Sequence, residues 1–390
     1  MAYISSNANR WYCAKEASYG RIPAITAGNR IPAVSMTAQN QREKSQRKDK
    51  TGSRTWAGLP QGMRRQTSFQ LSSYMRDWSD SSQFPPQGPL FEAALGGAPV
   101  HWTGGVANTG TDETNIRFVA PHHLTPGQAI VSSGEIRFVA AVADDLTVLL
   151  NAPFSAVPVV GVPLGVTATY GLASELPSVS IFDYWDPVTA VQRVLCGAAV
   201  DRTSIKLNGD FHEFEFRGNA QDLVDSNSFI AGQGEAAQFP PEPAGSGGAF
   251  YSPVPGNLGQ VWLGVIPNQL FTVSQATVEV RNNLELRNRE FGSVLPRGIT
   301  PGNREVLISL EMFSQDDQSA AALYQAARQQ VPVGVMFQLG DRPGQLMGIY
   351  IRSLVPDVPE FDDGDKRLKW RFRDTRAQGT SDDEVIVAFG

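Results

Sequence analysis

The sequence predicts a mostly β protein built from two tandem sheet modules, each flanked by one helix. Three observations carry this. First, apolar and polar residues alternate, as in FHEFEFRG, where His212, Phe214 and Phe216 oppose Phe211, Glu213, Glu215 and Arg217. A period of two marks half-buried strands. Second, turn formers are frequent, with 37 Gly and 26 Pro in 390 residues, and helix signals are few. Third, the same order of elements recurs on both sides of a proline-rich stretch, the mark of an internal duplication.

The elements run as follows. Strand-like IPAVSMTAQ (31–39) is followed by a long polar loop, the turn GLPQG, and a second strand, RQTSFQLSSY. A helix is predicted from Gly88 to Gly97, with Leu90, Phe91, Ala94 and Leu95 on one face. Residues 115–168 have no counterpart later in the chain. Short strands split by TPG, SSG and ADD turns read there as a small β-barrel insert. VLCGAAVDRTSIKL and FHEFEF close the first module, which spans 1–114 plus 169–230. Residues 231–256, rich in Pro and Gly, are expected to cross the surface as an extended linker.

The second module, 257–390, repeats the order. SQATVEVRN, a polar loop, GITPG and REVLISLEMF match the first hairpin, with Phe69 and Leu71 corresponding to Ile308 and Leu310. The second helix is predicted from Asp316 to Gln330. LMGIYIRSLVPDV then matches VLCGAAVDRTSIKL, Gly348 answering Gly197. RLKWRFRD closes the module, with Leu368, Trp370 and Phe372 on one face and Arg367, Lys369, Arg371 and Arg373 on the other.

Several function classes are disfavoured. The net charge of -6 argues against a chain that neutralises phosphates along its length. Cys13 and Cys196 are too far apart in sequence for a metal-ligand spacing and read as two reduced thiols. No stretch is apolar enough to span a membrane, and the N-terminal residues lack the pattern of a signal peptide. His122 and His123 are adjacent, point opposite ways in a strand, and read as surface or loop residues. Neither a GxSxG elbow nor a P-loop is present. Asp362, Asp363 and Asp365 fit a hairpin turn better than a calcium loop. No catalytic residue, metal site or cofactor is expected, and the chain does not read as an enzyme.

One loop stands apart. Arg42, Lys44, Arg47, Lys48, Lys50 and Arg54 outnumber Glu43 and Asp49 within it. It has no interleaved aromatic residues on which bases could stack. A basic loop on an acidic chain suits docking on a neighbouring subunit.

RKDKTGSRTWAGLPQGMRRQTSFQLSSYM, the PLFEAALGG helix and LPSVSIFDYWDPVTAVQRVLCGAAVDRTSIKL resemble the tail tube proteins of long-tailed, siphovirus-like bacteriophages. The resemblance covers about Tyr3 to Asp222, and the second half shares the order of elements. It implies two tail-tube-like β-sandwich or barrel domains per chain. Three chains would form a ring with pseudo-sixfold symmetry, in preference to a hexamer, and the rings would stack into the conduit for genome ejection. The implied partners are further copies of the chain and other tail proteins: tape measure, terminator and distal tail ring. DNA would pass without specific binding, and no membrane is involved. The implied location is the virion tail, after synthesis in the bacterial host cytoplasm.

In that reading the 115–168 insert decorates the outer wall, and the basic loop docks between rings. By alternation Ser35, Thr37, Gln70 and Ser72 in one repeat and Glu279, Arg281, Ser309 and Glu311 in the other would face the channel, with an acidic bore that repels phosphate. Two alternatives use the same sequence: a tail-end or baseplate-proximal ring protein with this fold, and a glycan-binding tail-tip protein.

Overall fold

A computed structural model describes residues 5–43, 48–56, 58, 63–78, 84–186, 191–225, 252–316, 318–364 and 366–390. Strands dominate it, as the alternation predicts. In the first part of the chain, β1 (Arg10–Lys15), β2 (Arg30–Ile31), β3 (Ala33–Arg42) and β4 (Arg65–Tyr74) precede α1 (Gly88–Leu95). A side unit follows, with β5 (Val100–Trp102), β6 (Asn115–Arg117), β7 (Ala129–Ser132), β8 (Glu135–Asp144), β9 (Thr147–Leu150) and β10 (Thr167–Tyr170). Then come β11 (Val179–Asp186), β12 (Val191–Leu207), β13 (Glu213–Ala220) and β14 (Asp222–Asp225).

The second part opens with β15 (Gly259–Gly264), β16 (Asn268–Gln269) and β17 (Val273–Arg281). A loop carrying β18 (Glu285–Leu286) and β19 (Ile299–Thr300) leads to β20 (Glu305–Phe313) and α2 (Gln318–Gln329). The chain ends with β21 (Val333–Leu339), β22 (Met347–Leu354), β23 (Glu360–Asp362), β24 (Lys369–Arg376) and β25 (Ile386–Phe389).

The pairing pattern of the first part recurs in the second. The order β2-β1-β11-β12-β14 is matched by β16-β15-β21-β22-β25, and β3-β4-β13-β12 by β17-β20-β24-β23. β12 serves both patterns because it is long: its start pairs with β11 and β14, its end with β13 and β17. Gly197 permits the change of direction. It sits at φ 61, and a Cβ there would lie 2.7 Å from Gln221 Cβ. Gly348, its partner by sequence, answers a different need: a Cβ would meet the Phe138 ring at 2.8 Å.

The two parts share their sheets. β12 pairs with β17, which makes one long run, β3-β4-β13-β12-β17-β20-β24-β23. β10 pairs with β25, which joins the side unit to the second part. Between the sheets lies one apolar cluster drawn from both parts, including Phe69, Phe214, Phe216, Val278, Ile308, Phe337, Ile349 and Phe389. α1 is buried almost all round, beyond the single face expected of it. Even Glu92 is enclosed, with Lys15 Nζ 2.5 Å from its carboxylate. α2 buries one face through Ala320, Leu323, Ala326 and Ala327.

The side unit curls as a four-stranded sheet, β6-β9-β8-β7, with its own cluster of Trp102, Ile116, Phe118, Val139 and Phe154. It draws in residues ahead of 115, and its outer strands are linked by single bridges (Ala107 to Phe118, Val106 to Pro163, Val131 to Gly165) instead of a closed barrel ladder. It covers the face of the second sheet that points away from the central core. There Phe138 stacks on Tyr350 at 5.4 Å, and Trp262, Met336 and Ala388 complete the contact.

Arg137 locks this junction. It is fully buried and donates to Pro153 O (2.8 Å), Ile136 O (2.8 Å), Gln338 Oε1 (3.0 Å) and Gln260 Oε1 (2.9 Å), with Glu135 at 3.3 Å. Its guanidinium lies over the Trp262 and Phe154 rings. Burial pushes its pKa down to about 10, so it stays charged at neutral pH. Burial alone would raise the Glu135 pKa, but hydrogen bonds from Ser155 and Gln260 and the Arg137 charge outweigh it and hold the carboxyl below its ordinary value.

Two expectations are corrected. Residues 252–256 are not a surface tether: Val254 is 1% exposed, its N–H donates to Met75 O, and its carbonyl accepts from His212. The rest of the expected linker, 231–251, lies outside the described residues. His122 sits in a loop, one of the two placements expected, but it is buried and not at the surface. Its ring accepts from Leu124 N at 2.8 Å and reaches Asp144 O at 3.0 Å inside the side unit. Cys13 and Cys196 are both free and buried.

Removing one partner of a buried charge network costs about 3–5 kcal/mol. Arg137→Ala is expected to lower stability by about that amount in urea titrations at pH 7. Because the Glu135 pKa is depressed on folding, its stabilising contribution is present above the unfolded value and is lost as pH falls through the folded one. The gap between Glu135→Gln and the natural chain should therefore close in acid.

Candidate assembly surface: the polar face and open edges of the long sheet

Alternation gives the long run two unlike faces. Phe69, Leu71, Ile205, Phe214, Phe216, Val278, Ile308, Leu310, Trp370 and Phe372 enter the core. The residues between them form cross-strand rows on the opposite face. One row runs Ser35, Ser72, Glu215, Ser204, Glu279, Leu307 and Arg376; the next runs Thr37, Gln70, Arg217, Arg202, Arg281 and Glu305. The structure thus brings all eight sequence-predicted face residues to one surface. Ser35 faces Ser72 and Thr37 faces Gln70 in β3 and β4. Glu279 and Arg281 lie in β17, and Ser309 and Glu311 in β20.

The charges on this face pair with one another. Glu279, 8% exposed, is held between Arg202 and Arg281. Its hydrogen bond keeps the Arg281 pKa above the ordinary value. Arg217 meets Glu215, and Arg376 meets Glu305. Arg371 bridges Glu311 at 3.2 Å and Asp362 at 2.6 Å. Towards β3 the face turns to uncharged hydroxyl and amide groups. The expectation of an acidic face is therefore corrected: carboxylates are present, but neighbouring strands supply the cations that offset them. Arg202, Glu215, Arg217, Glu305 and Arg376 were missed as members, although the alternation in VDRTSIKL and FHEFEFRG carries the signal.

The two edges of the run differ. Among the described residues β3 pairs with β4 on one side only, and β23, three residues long, pairs only with β24. Within β23 Phe361 is 56% exposed, and just before the strand Val358 is 51% exposed. By pairing position Phe361 corresponds to Ile205, which is 2% exposed because β17 covers it.

The long loops leave one end of this sheet. Arg42 pairs with Arg65 at the end of the β3–β4 ladder, and Lys48, Lys50 and Arg54 are exposed. Lys44 and Arg47 lie outside the described residues. The 282–304 loop folds back over the first hairpin. Arg65 N donates to Val294 O (3.0 Å), Arg64 to Arg289 O (3.2 Å), Asn288 to Gln66 Oε1 (2.8 Å), and Gln221 to Pro296 O (3.1 Å). Among the described residues no group of three or more His, Cys, Asp or Glu is placed to hold a metal, and no helix is long and apolar enough to cross a membrane. No family model matches the chain, and no curated protein matches it by sequence.

Among the described residues Glu279 is the carboxylate of this face held between two arginines, so Glu279→Gln should lower the urea midpoint. The loss should shrink as salt is raised to about 1 M, where the two arginines no longer repel at range. An equal loss at all salt concentrations would show that packing, not charge, holds this row.

Proposed function

We propose that the chain is a structural subunit of a phage tail tube, with two tube-type modules per chain, 1–114 plus 169–230 and 257–390. Three chains form a ring of pseudo-sixfold symmetry, and stacked rings form the conduit for DNA. The observation that carries this reading is the β12–β17 ladder. Within one chain it pairs the end of β12 with the first long strand of the second part, which supports reading it as a module-to-module join. An exposed strand edge invites pairing with another chain, and a run with the same two edge types at its ends can repeat that join until it closes.

The polar face suits a bore. Arg202, Arg217, Arg281, Arg371 and Arg376 are engaged by carboxylates on the same face. A passing phosphate would have to displace those partners, so the genome can slide without being gripped. The side unit packs behind the second sheet, on the side of the molecule away from this face, which fits an outer decoration. Tail location and contacts with tape measure, terminator and distal tail proteins follow from the same reading.

The test is electron microscopy of the purified chain at high concentration, beside Phe361→Asp. Phe361 is exposed in the single chain, so the variant should fold, as circular dichroism would show. The natural chain should form rings or tubes and the variant should not. A natural chain that stays single, or a variant that assembles equally well, counts against the proposal.

A further inference from the structure

The loop after β17 crosses onto the preceding module, where it meets Arg64, Arg65, Gln66 and Gln221. Among the described residues β3 pairs with no strand beyond β4, so the matching loop after β3 has no first-part surface beside it of the kind the 282–304 loop covers. We infer that the basic loop carrying Lys48, Lys50 and Arg54 clasps the second module of a neighbouring copy within the same ring, rather than a copy in the next ring. This rests on the ring reading above and names the loop's partner.

The receiving surface can be placed by position. Arg65 lies four residues before Phe69, and Arg304 four before Ile308, the core residues that correspond in β4 and β20. Both arginines meet acids beside the strand that closes their module: Arg65 meets Asp222 at 2.5 Å, and Arg304 meets Asp382 at 2.9 Å and Glu384 at 3.6 Å. The surface equivalent to the occupied one is therefore Asn303, Arg304, Glu305 and the Asp382–Glu384 turn. Arg304, Arg352 and Arg376 also stand there, Arg352 holding Asp383 at 3.2 Å. The carboxylates of Asp382, Asp383, Glu384 and Glu305 still give the loop lysines acids to face.

The position of this surface separates lateral from axial docking. The Asp382–Glu384 turn lies at the same end of the long sheet as the basic loop, through its contact with Arg304 ahead of β20. Asp210, Asp316 and Asp363 lie at the opposite end, beyond β12, β20 and β23. A loop reaching the next ring in a stack would meet that end.

The experiment is zero-length carbodiimide cross-linking of assembled particles made from mixed isotopically light and heavy full-length chains, read by peptide mass spectrometry. The expected products join Lys48 or Lys50 of one copy to Asp382, Asp383 or Glu384 of another. Products with Asp210, Asp316 or Asp363 instead, or none between copies, overturn the clasp while leaving the ring in place. Failure of the natural chain to assemble, seen before any cross-linking, removes the ring reading itself and the clasp with it. As a second arm, the triple variant Lys48→Glu, Lys50→Glu, Arg54→Glu should need roughly tenfold more protein to close rings. Rings that close normally but fail to stack would contradict the clasp.

Discussion

The β12–β17 ladder is the constraint on which the rest of the structure depends. Arg202 to Leu207 pair with Arg281 to Ala276 in unbroken antiparallel register. That ladder joins the two parts of the chain into one sheet, aligns their polar rows, and buries Ile205 and Val278 against a common core. β12 can do this only because it is long enough to leave one sheet and enter another, and the bend falls where Gly197 accepts a positive φ. A strand that ended at the bend would leave the first part with the same open edge that β23 presents.

The polar face and the side unit handle buried charge in contrasting ways. On the face, Glu279 is itself buried but takes two partly exposed arginines, from its own and a neighbouring strand. Cross-strand pairs of this kind add modestly to a sheet and fix its register. At the side unit, Arg137 is wholly enclosed, so each of its donors has to be satisfied, and backbone carbonyls and two glutamines supply the acceptors. That network ties the side unit to the sheet of the second part.

Much of this was legible in the sequence, for identifiable reasons. Period-two alternation placed Ser35, Thr37, Gln70, Ser72, Glu279, Arg281, Ser309 and Glu311 on one face, because a strand leaves no other choice once its apolar residues are in the core. The matching hairpins were visible because Phe69 and Leu71 after GLPQG alternate as Ile308 and Leu310 do after GITPG, with one residue gained or lost in the turn. What the sequence hid depends on neighbours in space. Glu279 reads as a free carboxylate until β12 brings Arg202 beside it. His122 reads as a surface or loop residue, and only the side unit curling around it shows that the loop is buried; Val254 reads as tether until its backbone bonds to Met75 and His212. Phe361 carries no sequence signal of its own; only its pairing position shows that it stands where Ile205 is covered.

The most direct measurement is a cryo-electron microscopy reconstruction of the assembled particle at a resolution that separates strands. The account predicts three chains per ring, with β3 of each copy lying about 4.8 Å from β23 of the next. Within that sheet, the join between copies should look like the β12–β17 join inside the chain. A particle in which β3 faces solvent, or in which neighbouring copies meet through the side units alone, would contradict it.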